Sequence, residues 1–146
     1  MPLLHLIHPA LVHFSVAFLV VGGLSEAWGL LRDHPRSERF GATLLLIGTL
    51  SLLPTIVSGY LAANSVSVGA PAKAVLDGHE SNGLLVLGLF VGAHFWKGWS
   101  GGKLGPLQRK LYAVLLLIGV LLAAYSALLG GELVYGAGVG VAGIGG

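Results

Sequence analysis

Long apolar runs alternate with short polar stretches along this chain, and the pattern divides into four segments. A helix needs about 20 mostly apolar residues to cross a bilayer, and the segments that reach about this length are residues 9–31, 40–63, 79–96 and 109–129. The polar stretches between them carry most of the charges or are rich in glycine and proline. The pattern predicts an all-α fold, an integral membrane four-helix bundle that forms a single domain over residues 1–146.

The composition agrees with a membrane location and excludes several classes of function. Apolar residues make up 55% of the chain and charged residues only 10%, against roughly 25% charged in soluble domains. A soluble fold of this composition would expose large apolar patches. The chain has no cysteine, which excludes disulfides, thiolate metal sites, iron–sulfur clusters and covalent c-type haem. The net charge is only +2 and the bases form no stripe, so we expect no nucleic acid partner.

The distribution of Lys and Arg predicts the orientation in the membrane, because cytoplasmic loops carry an excess of these residues. Seven lie in or beside the first and third polar stretches: Arg32, Arg36, Arg39, Lys97, Lys103, Arg109 and Lys110. The opposite side has one, Lys73. We therefore expect a multi-pass protein of an inner (cytoplasmic) membrane or its equivalent, N-out and C-out, with the second loop also facing outward.

Histidines near the outer ends of helices one and three are the main candidates for chemistry. Ionisable residues inside a membrane span are costly and are functional hypotheses by default. Counting from the cytoplasmic charges at about 1.5 Å per residue puts His13 and His79 at nearly the same depth, with Gly59 and Gly130 in the same layer. His8 lies about a turn and a half further out.

This layer predicts a site for b-type haem near the outer face, between helices one and three. Haem iron accepts imidazole ligands, and helix bundles hold cofactors between facing helices. His13 and His79 would be the two axial ligands, and glycines at that depth would let the flat ring approach the backbone. Few cations are available there for the propionates, so Asn82 or Tyr135 would take that place. The predicted role is electron transfer or redox sensing, with redox proteins or quinone as partners, in a carrier subunit rather than a stand-alone enzyme.

Two other interpretations stay open at this point. Zinc or copper could take His8, His13, His79 and Glu132, a set of three imidazoles and one carboxylate. Alternatively, the histidines only bridge helices, and the protein is a non-catalytic scaffold or a small transporter.

Toward the cytoplasmic end lie two further ionisable residues, His94 and Glu26. His94 is close to two tryptophans and is expected in the interfacial aromatic belt, while Glu26 either pairs with His94 or is protonated against a hydroxyl. Gly88 and Gly92 have GxxxG spacing, which lets membrane helices pack closely. Besides lipid, the expected partners therefore include a second copy of the chain or a larger membrane complex.

Three motifs resemble those of a bacterial membrane family catalogued as domain of unknown function 2231. Residues 8–14, HPALVHF, resemble its HPxLVHF signature, and residues 79–82, HESN, resemble its HxxN motif. Residues 130–141 resemble its C-terminal GGELVY and GVGV motifs. The motifs come in the family's order and span nearly the whole chain.

The resemblance implies a fold of four helices but no settled activity. Its signature residues coincide with the outer group reached by counting depth: His8, His13, His79, Asn82, Glu132 and Tyr135. Two positions depart from the family pattern. Ser15 stands where the family usually has Pro, and Leu61 stands where Gly59 is usually followed, two positions later, by Asp, so no role for that acid is carried over.

Overall fold

The chain folds into four long helices joined by short connections. The computed structural model describes residues 4–139, with side chains described from residue 7 onward. The helices are α1 (Leu4–Leu31), α2 (Pro35–Ala63), α3 (Ala70–Trp99) and α4 (Pro106–Gly131), and a π-helical turn, Glu132–Gly136, continues α4. The part that the structure describes contains no strand, which confirms the all-α prediction.

Each helix begins earlier than its predicted apolar run, and the first turns of α2, α3 and α4 include polar or charged residues. The ring of His34 caps α2 by accepting a hydrogen bond from the backbone N–H of Ser37, and Pro35 occupies the first turn, where the missing N–H of proline does no harm. α3 and α4 likewise follow Gly69 and Gly105 with a proline in the first turn. Charged residues that looked like loop residues therefore lie on helical turns, within reach of neighbouring helices.

Three of the helices are long and apolar enough to cross a membrane. They comprise Ile7–Leu31, Pro35–Ala63 and Pro106–Gly136, with mean hydropathies of 1.8, 2.0 and 2.4. Only 22%, 33% and 28% of the residues in their most apolar windows are buried inside the protein, so most of these apolar side chains face outward. Such a surface suits lipid and is unsuited to water.

The helix α3 is less apolar but covers the same length of the bundle. Its 30 residues extend about 45 Å at 1.5 Å per residue. It runs antiparallel to α4: the Asn82 amide donates to the carbonyl of Leu122 at 2.9 Å, and further along, the rings of Trp96 and Tyr112 have centroids 5.7 Å apart. α3 therefore lies alongside α4 for most of its length and completes the four-helix bundle.

The packing order places α1 and α3 diagonally opposite each other, because each of them contacts both α2 and α4. α1 and α2 approach closely at Gly22, where an added Cβ would lie 2.7 Å from the backbone nitrogen of Leu45. At the centre, Leu19, Leu45, Phe90 and Leu116, one from each helix, are fully buried. This apolar layer separates two polar ends, which we call the histidine end (around His8 and His79) and the charged end (around Glu26 and Lys97).

Candidate functional site

Two histidines from diagonally opposite helices meet at the histidine end. The rings of His8 on α1 and His79 on α3 have centroids 6.3 Å apart and lie nearly perpendicular, at 87°. Both residues are partly buried. The bundle therefore brings two imidazoles together that lie far apart in the sequence.

A backbone carbonyl of a neighbouring helix holds each ring. Nδ1 of His8 lies 3.0 Å from the carbonyl oxygen of Thr55 on α2, and Nδ1 of His79 lies 3.0 Å from the carbonyl oxygen of Ser126 on α4. A carbonyl oxygen only accepts, so Nδ1 carries the proton in both rings. In the neutral ring the free lone pair is then on Nε2, as in metal-binding histidines whose other nitrogen donates to a carbonyl.

Gly59 and Gly130 make room for the two rings. A Cβ on Gly59 would lie 2.7 Å from Cε1 of His8, and a Cβ on Gly130 would lie 3.3 Å from Cε1 of His79. Each glycine comes four residues after the residue whose carbonyl holds the ring, which is about one helical turn. In the structure these two glycines of the predicted layer thus seat imidazole rings.

The structure brings His8, and not His13, beside His79. The His13 ring is exposed on the outside of α1, and its Nδ1 lies 2.6 Å from the carbonyl oxygen of Pro9. Five residues turn a helix by about 500°, so His8 and His13 point about 140° apart. Counting depth could not separate these two directions, and the expected pairing of His13 with His79 is replaced by that of His8 with His79.

The other predicted site residues lie around this pair without joining it as ligands. Asn82, one turn along α3 from His79, is buried and ties α3 to α4 through Leu122. Glu132 and Tyr135 lie exposed on the π-helical turn, and Glu132 lines a cavity of about 180 Å³ beside the first turns of α3. Residues 140 and 141 of the C-terminal GVGV motif lie outside the described residues.

Among residues 4–139, no group of three or more His, Asp and Glu side chains could hold a metal ion. The predicted zinc or copper set of His8, His13, His79 and Glu132 is therefore not assembled. The physical reason is that the ring of His13 is exposed on the outside of α1 and Glu132 is exposed on the π-helical turn that follows α4.

Sequence reasoning missed a hydroxyl cluster between α1 and α2 on the central side of His8. The Ser15 hydroxyl is fully buried and lies 2.9 Å from Oγ of Ser51 and 2.8 Å from Oγ1 of Thr55. Thr55 thus contacts Ser15 through its side chain and His8 through its carbonyl. Thr55 therefore links the hydroxyl cluster to the residue whose carbonyl orients His8.

At the charged end, ion pairs join all four helices. Nζ of Lys97 lies 2.6 Å from Glu26 and 2.9 Å from Glu38. Arg109 on α4 lies 2.9 Å from Asp33 in the α1–α2 connection and 3.9 Å from Glu38. Glu26 is only 1% exposed, so its pair with Lys97 is buried within the bundle.

The sequence offers Glu26 either His94 or a hydroxyl as its partner, whereas the structure pairs Glu26 with Lys97. Nε2 of His94 lies 3.0 Å from Oγ1 of Thr49 on α2, which makes His94 a contact between α2 and α3. The apolar pattern predicts that the third helix ends at residue 96, whereas α3 extends to Trp99 and thereby holds Lys97 close to Glu26.

A family described as "Predicted membrane protein (DUF2231)" matches residues 4–143. The chain belongs to this family. The DUF2231 match covers all four helices, and its description gives a membrane location without an activity. Searches of curated proteins and of solved structures found no match.

Proposed function

We propose that this DUF2231 protein binds one b-type haem at the histidine end, with His8 and His79 as the two axial ligands. The observation that carries the proposal is the hydrogen bonding of the pair. Both Nδ1 atoms donate to helix carbonyls, and both Nε2 atoms keep their lone pairs for a ligand. The proposal replaces His13 by His8 and keeps His79.

The donor set fits haem better than zinc or copper. Four ligands of haem iron come from the macrocycle, so two imidazoles complete a six-coordinate site. Zinc needs three or four protein ligands, and the described residues offer no such group. The two ring centroids are 6.3 Å apart, so His8 and His79 are close enough to hold one group between them.

Haem held in this way supplies one-electron chemistry, and the chain contributes its orientation. The carbonyls of Thr55 and Ser126 fix the ligand rings, and the hydroxyl cluster supports the first of these carbonyls. The central apolar layer closes the site toward the charged end. We therefore assign the protein a role in electron transfer or redox sensing rather than in catalysis on its own.

The same proposal includes a location and partners. The excess of Lys and Arg at the charged end favours an inner membrane with the histidine end facing outward. A redox protein or a quinone would then approach the rim where Tyr135 is 91% exposed. A second copy of the chain would pack against Gly88 and Gly92, at which an added Cβ would meet nothing within 4 Å.

The test is an absorption spectrum of the detergent-purified protein, oxidised and dithionite-reduced, with haem supplied during expression and again in a titration. We expect a Soret band that shifts on reduction, sharp reduced bands and one haem per chain. Elemental analysis of the same sample for zinc and copper tests the other metals. A flat visible spectrum after haem addition would refute haem binding.

A purely structural role is the second candidate, and a specific observation favours it. Each ring of the pair already has a hydrogen-bond partner and packs against a glycine, so the histidines bridge helices without any ligand. This role predicts no Soret band and no bound metal. It also predicts that His79→Ala lowers the thermal stability of the ligand-free protein and changes nothing else.

A further inference from the structure

The second half of the chain repeats the first half at a fixed offset of 71 residues. Residues 42–50 read ATLLLIGTL and residues 113–121 read AVLLLIGVL, with identity at seven of the nine positions. The same offset, without a gap, pairs identical residues of different chemical types: His8 with His79, Trp28 with Trp99, Pro35 with Pro106, and Gly59 with Gly130. Leucine-rich helices resemble one another through composition alone. The contacts within the two hairpins are therefore the stronger evidence that the chain is an internal repeat.

Three contacts inside the α1–α2 hairpin recur inside the α3–α4 hairpin. Each histidine binds a carbonyl 47 residues further along the chain, at Thr55 and at Ser126. Each ring also lies against the glycine one turn after that carbonyl, at the positions described above.

The third repeated contact lies in the central layer. A Cβ on Gly48 would meet Leu19 at 3.0 Å, and a Cβ on Gly119 would meet Phe90 at 2.7 Å. The two glycines are 71 residues apart, and so are Leu19 and Phe90. The two hairpins therefore share their internal packing as well as part of their sequence.

Contacts between the hairpins repeat in the same way. His94 on α3 bonds to Thr49 on α2. At the corresponding positions, an added Cβ on Gly23 of α1 would lie 2.5 Å from Cγ2 of Val120 on α4. His94 corresponds to Gly23 and Thr49 corresponds to Val120, so the two contacts involve equivalent pairs of positions. A twofold axis between two similar units produces such equivalent contacts.

Corresponding residues meet each other at both ends of the bundle, and a residue can meet its own counterpart only close to such an axis. His8 faces His79 at the histidine end. Glu26 and Lys97, also 71 residues apart, form the 2.6 Å ion pair at the charged end. These two contacts, one at each end, indicate a twofold pseudo-axis that runs along the length of the bundle.

We infer that the chain is a duplicated helix hairpin whose halves pack about a twofold pseudo-axis, and that the ligand of His8 and His79 sits on this axis, held alike by both halves. The position of the ligand rests on the proposed function. The duplication and the axis rest on the sequence and the contacts alone.

The charges at the far end of the axis explain how two unlike halves are held together. Glu26 and Glu38 belong to the first half, and their counterparts in the second half are Lys97 and Arg109. Identical charged residues facing one another near an axis would repel. With acids in one half and bases in the other, the facing residues attract each other and form the observed ion pairs. These ion pairs favour packing of one first half against one second half.

The first experiment exchanges a charge pair across the axis in the full-length chain. We expect Glu26→Lys and Lys97→Glu each to lower the melting temperature in detergent by about 5 °C or more, because each leaves a buried charge facing a like charge. The double variant should be more stable than the two losses combined predict, because it restores the ion pair between positions 26 and 97 in reversed order, although the 2.9 Å contact between position 97 and Glu38 stays lost. Lys103→Glu, at an exposed position of the same end, is the control and should change little. A double variant as unstable as the two losses combined would overturn the inference that these positions are equivalent.

The second experiment measures the axis directly and does not depend on the stability of a charge variant. Because the chain has no cysteine, pairs of spin labels can be placed on cysteines introduced at exposed positions. The axis relates the pair Phe14 and Leu128 to the pair Leu85 and Val57. Pulsed electron paramagnetic resonance in lipid nanodiscs should give the same mean distance for both pairs, and clearly different means would exclude the pseudo-axis.

Haem titration then tests the position of the ligand. His8→Ala and His79→Ala should weaken haem binding by similar factors, since each removes the same contact from one half. Loss of binding in only one of the two variants would overturn the placement on the axis. Equal label distances in a protein that binds no haem would instead refute the proposed function and leave the duplication standing.

Discussion

Replacing Gly59 by Ala should displace the ring of His8 and damage the histidine end selectively. The new Cβ would lie 2.7 Å from Cε1 of His8. Carbon atoms in contact are about 3.5–4.0 Å apart, so the ring would have to retreat by about 0.8 Å or more. Such a retreat strains or breaks the 3.0 Å hydrogen bond from Nδ1 to the carbonyl of Thr55.

The expected magnitude follows from the two contacts that change. Overpacking of this kind costs about 1–3 kcal/mol, and the net loss of a hydrogen bond adds about 1 kcal/mol. If about 1.4–2.8 kcal/mol of this penalty destabilises the position of the His8 ring that binds haem, haem affinity drops roughly 10- to 100-fold, since each 1.4 kcal/mol is a factor of ten. Gly130→Ala should have a smaller effect, because its Cβ would lie 3.3 Å from the ring of His79 and a shift of a few tenths of an ångström suffices.

The assay is a haem titration followed at the Soret band, with Gly98→Ala as the matched control. Gly98 also lies within a helix, but a Cβ there meets nothing within 4 Å, and alanine improves helix propensity by about 1 kcal/mol. The expected order of affinity loss is Gly59→Ala, then Gly130→Ala, then Gly98→Ala with none. Wild-type affinity in Gly59→Ala would refute the argument that this glycine seats the ring of His8.

Three further predictions concern stability, each measured by thermal unfolding in detergent. Ser15→Ala removes both hydroxyl contacts of a buried residue and should destabilise the protein by about 1–2 kcal/mol, and an unchanged melting temperature would show that the hydroxyl cluster contributes nothing. Asn82→Leu loses the bond to the Leu122 carbonyl and should cost about 0.6 kcal/mol, the average for such bonds between membrane helices; a loss of several kcal/mol would contradict this. Gly22→Ala should destabilise by 1–3 kcal/mol or more, roughly as for overpacking, because its Cβ would meet the rigid backbone of Leu45 and not a side chain that can move; a stabilised variant would mean that α1 and α2 are further apart.

Much of the fold could be predicted from hydrophobicity, because a helix that crosses a bilayer must be long and apolar. The positions of α1, α2 and α4 follow from this constraint alone, whereas α3 is less apolar and is indicated only by the shorter apolar run at residues 79–96. The starts of the helices do not, since the first turns of α2 and α3 contain charged residues that look like loop residues in a count of apolar residues. The end of α3 does not follow either, since the apolar run stops at residue 96 and leaves out Lys97, which lies in the last turn of α3 and pairs with Glu26.

The composition of the site could be predicted, but its pairing could not. The depth of a residue along a helix can be counted from the sequence. The side of the helix that faces the bundle cannot be read from hydrophobicity when the helix is apolar on all sides. A signal was present on α1, where the polar and small residues His8, Ser15, Gly22 and Glu26 recur at intervals of seven, seven and four. These intervals define one face of a helix, and His13 lies off that face.

The most direct test of the central claim compares three variants in a single spectroscopic measurement. Oxidised and dithionite-reduced spectra are recorded for His8→Ala, His79→Ala and His13→Ala after the same haem loading. We predict that the first two lose the six-coordinate spectrum and that His13→Ala keeps it in full, because its ring is exposed on the outside of α1. A His13→Ala variant that loses the spectrum while His8→Ala retains it would contradict the assignment of His8 and His79 as the ligand pair.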